Sequence, residues 1–383
     1  MRSAQGKLAT VTAPPEERSS SGEAPPRRLT AADLFAGAGG FSRAALDLDI
    51  DVRVAVELDK HACATYRHNL VSDRETPARL FEGDIRDLEL TEVCGCFSAE
   101  VPCDIVMGGP PCQGFSVHRI NNAGVSDPRN ELIHRYFDVV AALKPKAFIL
   151  ENVPGILWDR HAEYLDLFYE SAAEAGYKLQ APTLLDARDY GVPQRRKRVF
   201  IAGVASEMAD LADWPPKPTH CDPSKRETDS ALKTWVPSST AFHGAPSGDE
   251  NNVHMRHAPA LVKAFKDTPP NGGSRHQSGR LLRCHVDHDG HKDVYGRIDS
   301  RKPAPTMTTA CINPSKGRFV HPTQHHGITA RQAARLQTFP DDYVFKGGIM
   351  AAGKQIGNAV PVLLGRAILA HIAAFLSQAT PGV

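Results

Sequence analysis

Apolar and polar positions alternate along this chain with two periods, and the balance between them shifts twice. From Leu29 to Leu150 short apolar runs bounded by Gly, Pro, Asp or Asn recur between stretches of helical spacing. Strands are predicted at Ala31 to Phe35, Val52 to Val56, 104 to 107 and 147 to 150, and helices from about Ser42, over 60–69 and over 131–142. Strands separated by helices pair in parallel, so the pattern predicts a doubly wound α/β sheet with helices on both faces. After Gly176 the strands crowd together, with Lys178 to Leu185 and Val199 to Gly203 on either side of Asp189-Tyr-Gly-Val-Pro-Gln194. So close a connection predicts an antiparallel pair and a mixed sheet.

From 206 to 326 the chain fills with Pro, Gly, His, Ser and Thr, and helical periodicity is weak apart from 257–266. Helix signals return at Thr329 to Gln337, where Thr329 is a natural N-cap, and at Val360 to Ser377. The expected organisation is a disordered tail at 1–28, too poor in large apolar residues to offset its ordering entropy, an α/β domain made of 29–205 and 327–383, and a smaller irregular domain at 206–326.

Composition narrows the chemistry less than the pattern does. The 383 residues fit two domains, and 45 basic against 44 acidic residues leave a net charge of +1, so a nucleic-acid partner would have to meet a local basic patch. Eight cysteines follow no disulfide framework, and no apolar run reads as a signal peptide or membrane span. These features predict a protein of a reducing, cytoplasmic compartment. Cys94-Gly-Cys96 with Cys103, and Cys284-His285 with His288 and His291, lack the paired spacing of structural zinc sites, so no metal is expected.

Asp33-Leu-Phe-Ala-Gly37-Ala-Gly39-Gly40-Phe-Ser42 joins the first strand to the first helix with glycines that let a ligand approach the backbone. Glu57, at the end of the second strand, and Asp84, after Gly83 at the end of a third, are placed to hold the sugar and base of an adenosine group. The spacing leaves a nicotinamide dinucleotide and S-adenosylmethionine both open.

Gly108-Gly-Pro-Pro-Cys112-Gln-Gly-Phe-Ser116 ends the strand at 104–107. Consecutive prolines remove two backbone donors and fix φ, which a cysteine serving only as core filling does not need, so Cys112 reads as a presented nucleophile. Glu151 follows the buried run Ala147-Phe-Ile-Leu150, one βαβ unit further on, and a right-handed crossover puts thiol and carboxyl at the carboxyl ends of neighbouring strands. Gln194-Arg-Arg196-Lys-Arg198 leads into the strand at 199. Alternation sets Arg196 and Arg198 on one face, a costly placement unless each meets an anion or a polar ligand.

Taken in order, these segments resemble the C5-cytosine DNA methyltransferases of the bacterial type. The resemblance runs from Ala32 to about Ala370 outside the irregular insertion. It rests on Asp33 to Gly40, Pro110-Pro-Cys-Gln113, Glu151-Asn-Val153, Gln194 to Arg198, Arg331-Gln-Ala-Ala-Arg-Leu-Gln-Thr-Phe-Pro-Asp341 and Gln355-Ile-Gly-Asn-Ala-Val-Pro361. It implies that Cys112 adds to C6 of cytosine, that Glu151 acts at N3, that Arg198 meets O2, and that Arg196 supports the same pocket. S-adenosylmethionine would be lined by Phe35, Gly37, Ala38, Gly39, Glu57, Asp84, Ile85, Pro111, Leu132 and Asn358.

An in-stack cytosine cannot be attacked from above its plane, so the target would be flipped from double-stranded DNA, with 116–129 closing over it. Ser116, Arg119, Arg297 and Thr306 are the expected DNA contacts, and 206–326 is the expected target-recognition domain. The resemblance also implies a bacterial monomer acting beside a separate cognate restriction endonuclease. A tRNA cytosine methyltransferase is the alternative within the same chemistry, but the Cys-Phe-Thr segment usual in that branch does not occur between 206 and 326. A dinucleotide-dependent oxidoreductase would explain only the glycine turn and Glu57, and an inactive DNA-binding regulator would not need an intact Cys112, Glu151, Arg196 and Arg198.

Overall fold

The computed structural model describes residues 27–72, 78–110, 128–226, 231–279 and 293–379. Its centre is a mixed sheet built from β1 (Thr30–Leu34), β2 (Asp51–Glu57), β3 (Arg79–Glu82), β4 (Ile105–Gly108), β5 (Ala147–Asn152), β6 (Tyr177–Leu179), β7 (Thr183–Asp186) and β8 (Lys197–Ala205). The strand order is β3-β2-β1-β4-β5-β8-β6, with β7 also on β8. Strands β1 to β5 pair in parallel, and β8 runs against β5. Chain order reverses between β1 and β4, which makes their carboxyl ends the switch point where α/β sheets take ligands.

Side-chain alternation sorts the sheet into two cores. Ile105, Met107, Ala147, Ile149, Phe200 and Ala202 face one side, where α1 (Gly40–Leu46) and α9 (Val362–Ala379) supply Phe41, Ala44, Ile368 and Ile372. Val106, Phe148, Leu150, Val199 and Ile201 face the other, under α4 (Pro128–Leu143) and α5 (Ala162–Glu174). There Tyr136, Phe137, Phe148 and Phe168 meet edge to face with ring centroids 4.9–6.3 Å apart. Two further helices, α2 (Lys60–Tyr66) and α3 (Leu90–Cys94), connect the first strands, and α6 (Pro259–Asp267), α7 (Ala330–Leu336) and α8 (Gly348–Asn358) follow.

The expected strand at 178–185 is two strands, because Pro182 has no N–H to give and the ladder on β8 breaks there. Helices α3, α5 and α8 were not expected. Glycine content hides α8: Gly353 and Gly357 sit so close to Ile312 and to the Thr308 backbone that a Cβ at either would overlap them. The expectation of no span-length apolar stretch is also corrected, since 348–378 is long and apolar enough to cross a membrane. It is broken before Pro361 into α8 and α9, and α9 buries Leu364, Ile368, Leu369, Ile372 and Leu376 against the sheet. Arg27 and Arg28, expected in the tail, pair with Asp104 and Asp49. The rest of the tail lies outside the described residues.

Segment 206–326 holds α6, several 3-10 turns and two two-residue strands, β9 (His220–Cys221) and β10 (Lys233–Thr234). With few ladders to satisfy its backbone, it is tied to α7 by buried arginines. Arg331 makes a bidentate pair with Asp249 at 2.7 and 3.0 Å, and Arg335 donates to the carbonyls of His243 and Gly244 while pairing with Asp341. Burial works against the Asp249 charge, yet the Arg331 hydrogen bonds hold its carboxyl below the usual range. Removing one partner of such a pair strands the other charge.

Asp249→Asn is therefore expected to cost about 3 kcal/mol in denaturant unfolding. A folded-state pKa below the unfolded value of 3.8 makes the pair's contribution complete above that pH and lost as pH falls further, so the deficit of the variant should shrink in acid. Equal stability of variant and wild type at pH 7 would refute the assignment.

Candidate active site

The parallel strands deliver their carboxyl ends to one edge. Phe35, Gly37 and Gly39 all take positive φ there (58°, 57° and 84°), and the space beside Gly37 where a Cβ would stand is open. At Gly39 a Cβ would overlap Leu70 and approach Tyr343, so that glycine is required by packing. Glu57 clamps the turn: its Oε2 accepts from Gly37 N–H at 2.7 Å and its Oε1 from Asp59 N–H at 2.7 Å. Burial raises the Glu57 pKa against the pull of those two backbone donors. Beneath the turn, Asp33 accepts from Ser42 Oγ at 2.6 Å, and burial pushes its pKa up to about 7.

One strand over, Gly83 faces open space and Asp84 is chelated by Arg86, whose hydrogen bonds hold the carboxyl low. Ile85 is buried in the sheet core, Ala38 is buried within the turn, and half-buried Phe35 and Leu132 pack at the core's margin. Asn358 is exposed at the last position of α8. Leu58, 67% exposed directly after Glu57, is a site candidate that the sequence reading missed. A large apolar side chain left in water beside a glycine turn is the signal that would have found it.

Because β8 runs antiparallel, its start lies at the edge where β5 ends. Glu151 pairs with Phe200 across the β5–β8 ladder, and Arg198, two residues before Phe200, shares their face. Arg198 Nε stands 2.9 Å from Glu151 Oε1, both side chains being almost buried. Among the described residues no hydrogen bond reaches Oε1, so the pair meets by charge and leaves that oxygen available to a donor. Glu151 Oε2 lies 3.0 Å from where a Cβ on Gly109 would be, which sets the carboxylate on the backbone three residues before Cys112. A concavity of about 370 Å³ lies elsewhere, lined by Phe242, His254, His321 and His326 and by none of these strand-end groups.

A sequence profile of C-5 cytosine-specific DNA methylases matches residues 29–374. The chain belongs to that family. This methylase is 31% identical to the type II methyltransferase M.XorII of Xanthomonas oryzae pv. oryzae, over 88% of this chain and 82% of that one. It is 32% identical to M1.HphI of Haemophilus parahaemolyticus, over 89% and 85%. Among solved structures, an Escherichia coli prophage protein described as a DNA modification methyltransferase matches with a TM-score of 0.69 at 24% identity, over 91% of this chain and 99% of that one. The Dnmt2 methyltransferase of S. pombe matches at 0.55 and 18%, over 92% and 99%. At those identities the likeness is one of fold.

The methylase transfers methyl groups from S-adenosylmethionine to C5 of cytosine in DNA, and the tRNA alternative finds less support. Two expected DNA contacts stand differently from their expectation, and Arg196 turns inward. It is fully buried, with its guanidinium on the carbonyls of Met307, Gly357 and Ala359. Burial and the Arg198 charge lower its pKa. Arg297, expected on DNA, is buried and donates to the carbonyls of Thr268, Phe265, His321 and Gln324. Its donors are spent inside the fold. Thr306 turns its hydroxyl to the Arg195 carbonyl at 2.6 Å. Pro111, Cys112, Ser116, Arg119 and the expected 116–129 loop up to residue 127 lie outside the described residues, as do Cys284, His285, His288 and His291. Cys94, Cys96 and Cys103 turn their thiols to three different carbonyls.

Arg297→Met is expected to destabilise the methylase by at least about 2 kcal/mol by orphaning buried carbonyls, read as a lower melting temperature. An unchanged melting temperature with weakened DNA binding would instead restore Arg297 to the DNA surface.

Proposed function

We propose that the methylase acts on a cytosine swung out of a specific double-stranded DNA sequence, with Cys112, Glu151 and Arg198 as its catalytic residues. The observation that carries this reading is the Glu151 carboxylate, paired at 2.9 Å with Arg198 and seated on Gly109 at the mouth of the strand that leads to Cys112. Cytosine C5 is too weak a nucleophile to accept a methyl group unaided. The Cys112 thiolate adds to C6, forming an S–C6 bond and moving electron density to C5 and N3. Glu151 holds a proton at N3, and Arg198 donates to O2 where negative charge gathers. S-adenosylmethionine would supply an electrophilic methyl group to C5, its methyl–sulfonium bond breaking so that S-adenosylhomocysteine is the leaving group. Loss of the C5 proton to water and departure of the Cys112 thiolate then restore the aromatic ring.

Glu57, Asp84, Leu58, Phe35, Leu132 and Asn358 hold the methyl donor in this reading. The open space at Gly37 and Gly83 supports it, since both glycines leave room at the strand ends where the adenosine group would sit. Segment 206–326 acts as the target-recognition domain, joined to a catalytic domain made of 29–205 and 327–383. Solvent-facing Arg195 and Lys197 lie just before Arg198 and suit the phosphates beside the target base. The type II names of the relatives support a bacterial modification enzyme that works beside a separate restriction endonuclease.

Bisulfite sequencing of DNA from a host expressing the chain is expected to reveal one recurring sequence protected at a single cytosine. Cys112→Ser should lower methylation at least about 1,000-fold while duplex binding stays within a few-fold of wild type. Normal turnover by that variant would end the covalent mechanism.

Glu57→Ala removes two anchors of the glycine turn as well as a sugar-binding group. Calorimetry is expected to show S-adenosylmethionine affinity falling roughly 10- to 100-fold. Unchanged affinity would move the cofactor away from the β2 end.

A further inference from the structure

Gln194, Arg196 and Gln337 form a closed polar cluster in the interior, each fully buried. Gln194 Oε1 accepts from Met307 N–H at 2.7 Å, and its Nε2 donates to Leu336 O and Gln337 Oε1 at 3.0 and 2.9 Å. Gln337 Nε2 donates to the carbonyls of Ile356 and Ala359, and Arg196 donates to those of Gly357, Ala359 and Met307. Three pieces of chain are thereby held together: the segment leading into β8, residues 304–309, and the carboxyl end of α8.

Each piece borders a different part of the proposed site. Residues 304–309 form an irregular segment bridged to 193–195 at Ala304, with Ala304 N–H on Pro193 O and Arg195 N–H on Ala304 O at 2.9 and 2.8 Å. Their inner edge, at Met307, meets the cluster, whereas Thr308 and Thr309 are exposed. The end of α8 carries Asn358, and Gly357 packs so tightly on Thr308 that a methyl group would not fit between them. Arg198, the partner of Glu151, stands two residues beyond Arg196.

A helix end leaves orphan carbonyls with partial negative charge, and a buried guanidinium satisfies them only while its own position is fixed. Packing without slack transmits a displacement rather than absorbs it, and here the hydrogen bonds from Arg196 Nη1 and Nη2 and from both glutamine amides tie the three pieces together.

We propose that Gln194, Arg196 and Gln337 are positioning residues that couple DNA engagement by the 304–309 segment to the methyl-donor wall at Asn358. The inference rests on the functional reading above. DNA held against Thr308 and Thr309 fixes the segment, the cluster carries that constraint to the end of α8, and the methyl donor binds more tightly. Linkage makes the effect reciprocal, so bound donor or product strengthens DNA binding by the same factor.

The test titrates S-adenosylhomocysteine into the full chain by calorimetry, alone and with saturating fragments of unmethylated plasmid DNA. Wild type is expected to bind at least about fivefold more tightly with DNA. Gln194→Met and Gln337→Met keep side-chain volume and lose hydrogen bonds, and each should reduce that factor below about twofold while melting cooperatively. Arg196→Lys keeps the charge but gives up the fork geometry, and it serves as the third variant should either methionine variant fail to fold. An unchanged factor in folded variants, or no coupling in wild type, overturns the proposal. Coupling that is present in a protein that methylates no plasmid site would instead fail the functional reading and leave this one standing.

Discussion

The reversal of β8 is the constraint on which the site depends. Five parallel strands bring their carboxyl ends to one edge, and a sixth parallel strand would have brought only one more carboxyl end. An antiparallel strand brings its beginning instead, so the residues entering β8 reach the same edge as those leaving β4 and β5. Glu151 and Arg198 can therefore meet although the 46 residues 152–197 lie between them in sequence. The two-residue period of the sheet then puts Arg198 on the Glu151 face without any special loop. The glycine turn, Glu57 and Asp84 occupy the parallel half of that edge, and the carboxylate–arginine pair occupies its boundary with the antiparallel half.

Buried arginines do for the irregular part of the chain what ladders do for the sheet. Arg196, Arg297 and Arg331 are the largest fully buried side chains. Each donates to backbone carbonyls that belong to no strand or to a helix end: Met307 and Gly357 for Arg196, Thr268 and His321 for Arg297, Pro340 and Tyr343 for Arg331. Planar guanidinium groups with several fixed donors suit this work better than lysine, whose compact charge is costlier to dehydrate. Among the described residues, only Arg331 of the three has a carboxylate partner at bonding distance, Asp249. For Arg196 and Arg297 the carbonyl dipoles and distant charges carry the compensation, which makes their positions sensitive to any movement of the segments they hold.

Much of the sheet was legible because its order is local: apolar runs of strand length alternate with helices, and five parallel strands fall where the pattern puts them or within a few residues. The acidic strand ends at Glu57, Asp84 and Glu151 were readable for the same reason. Glu57 and Glu151 are each the first carboxylate after an apolar run, and Asp84 comes two residues after β3 ends. The roles of Arg196 and Arg297 were not readable, because a sequence shows an arginine's charge and not whether its donors are spent on carbonyls more than a hundred residues away or in a neighbouring turn. Helix α8 escaped for a related reason. Its glycines look like breakers until Ile312 and Thr308 are seen filling the space where side chains would stand.

The same contrast separates the two charged groups at β8. Arg196 meets carbonyls on three sides and has no path to solvent, whereas Arg198 keeps one face toward a carboxylate that, among the described residues, accepts no hydrogen bond at Oε1. A buried polar oxygen without a donor is costly, and the nearby guanidinium lowers that cost through charge alone. A ligand bringing an N–H to Oε1 would therefore gain more than an ordinary hydrogen bond in water, since it completes a site that the fold has already dehydrated. Cytosine protonated at N3, or its exocyclic amine, offers such a donor. Thymine offers a donor at N3 but a carbonyl where cytosine has an amine, so a carboxylate fixed at this place discriminates by the second contact rather than the first.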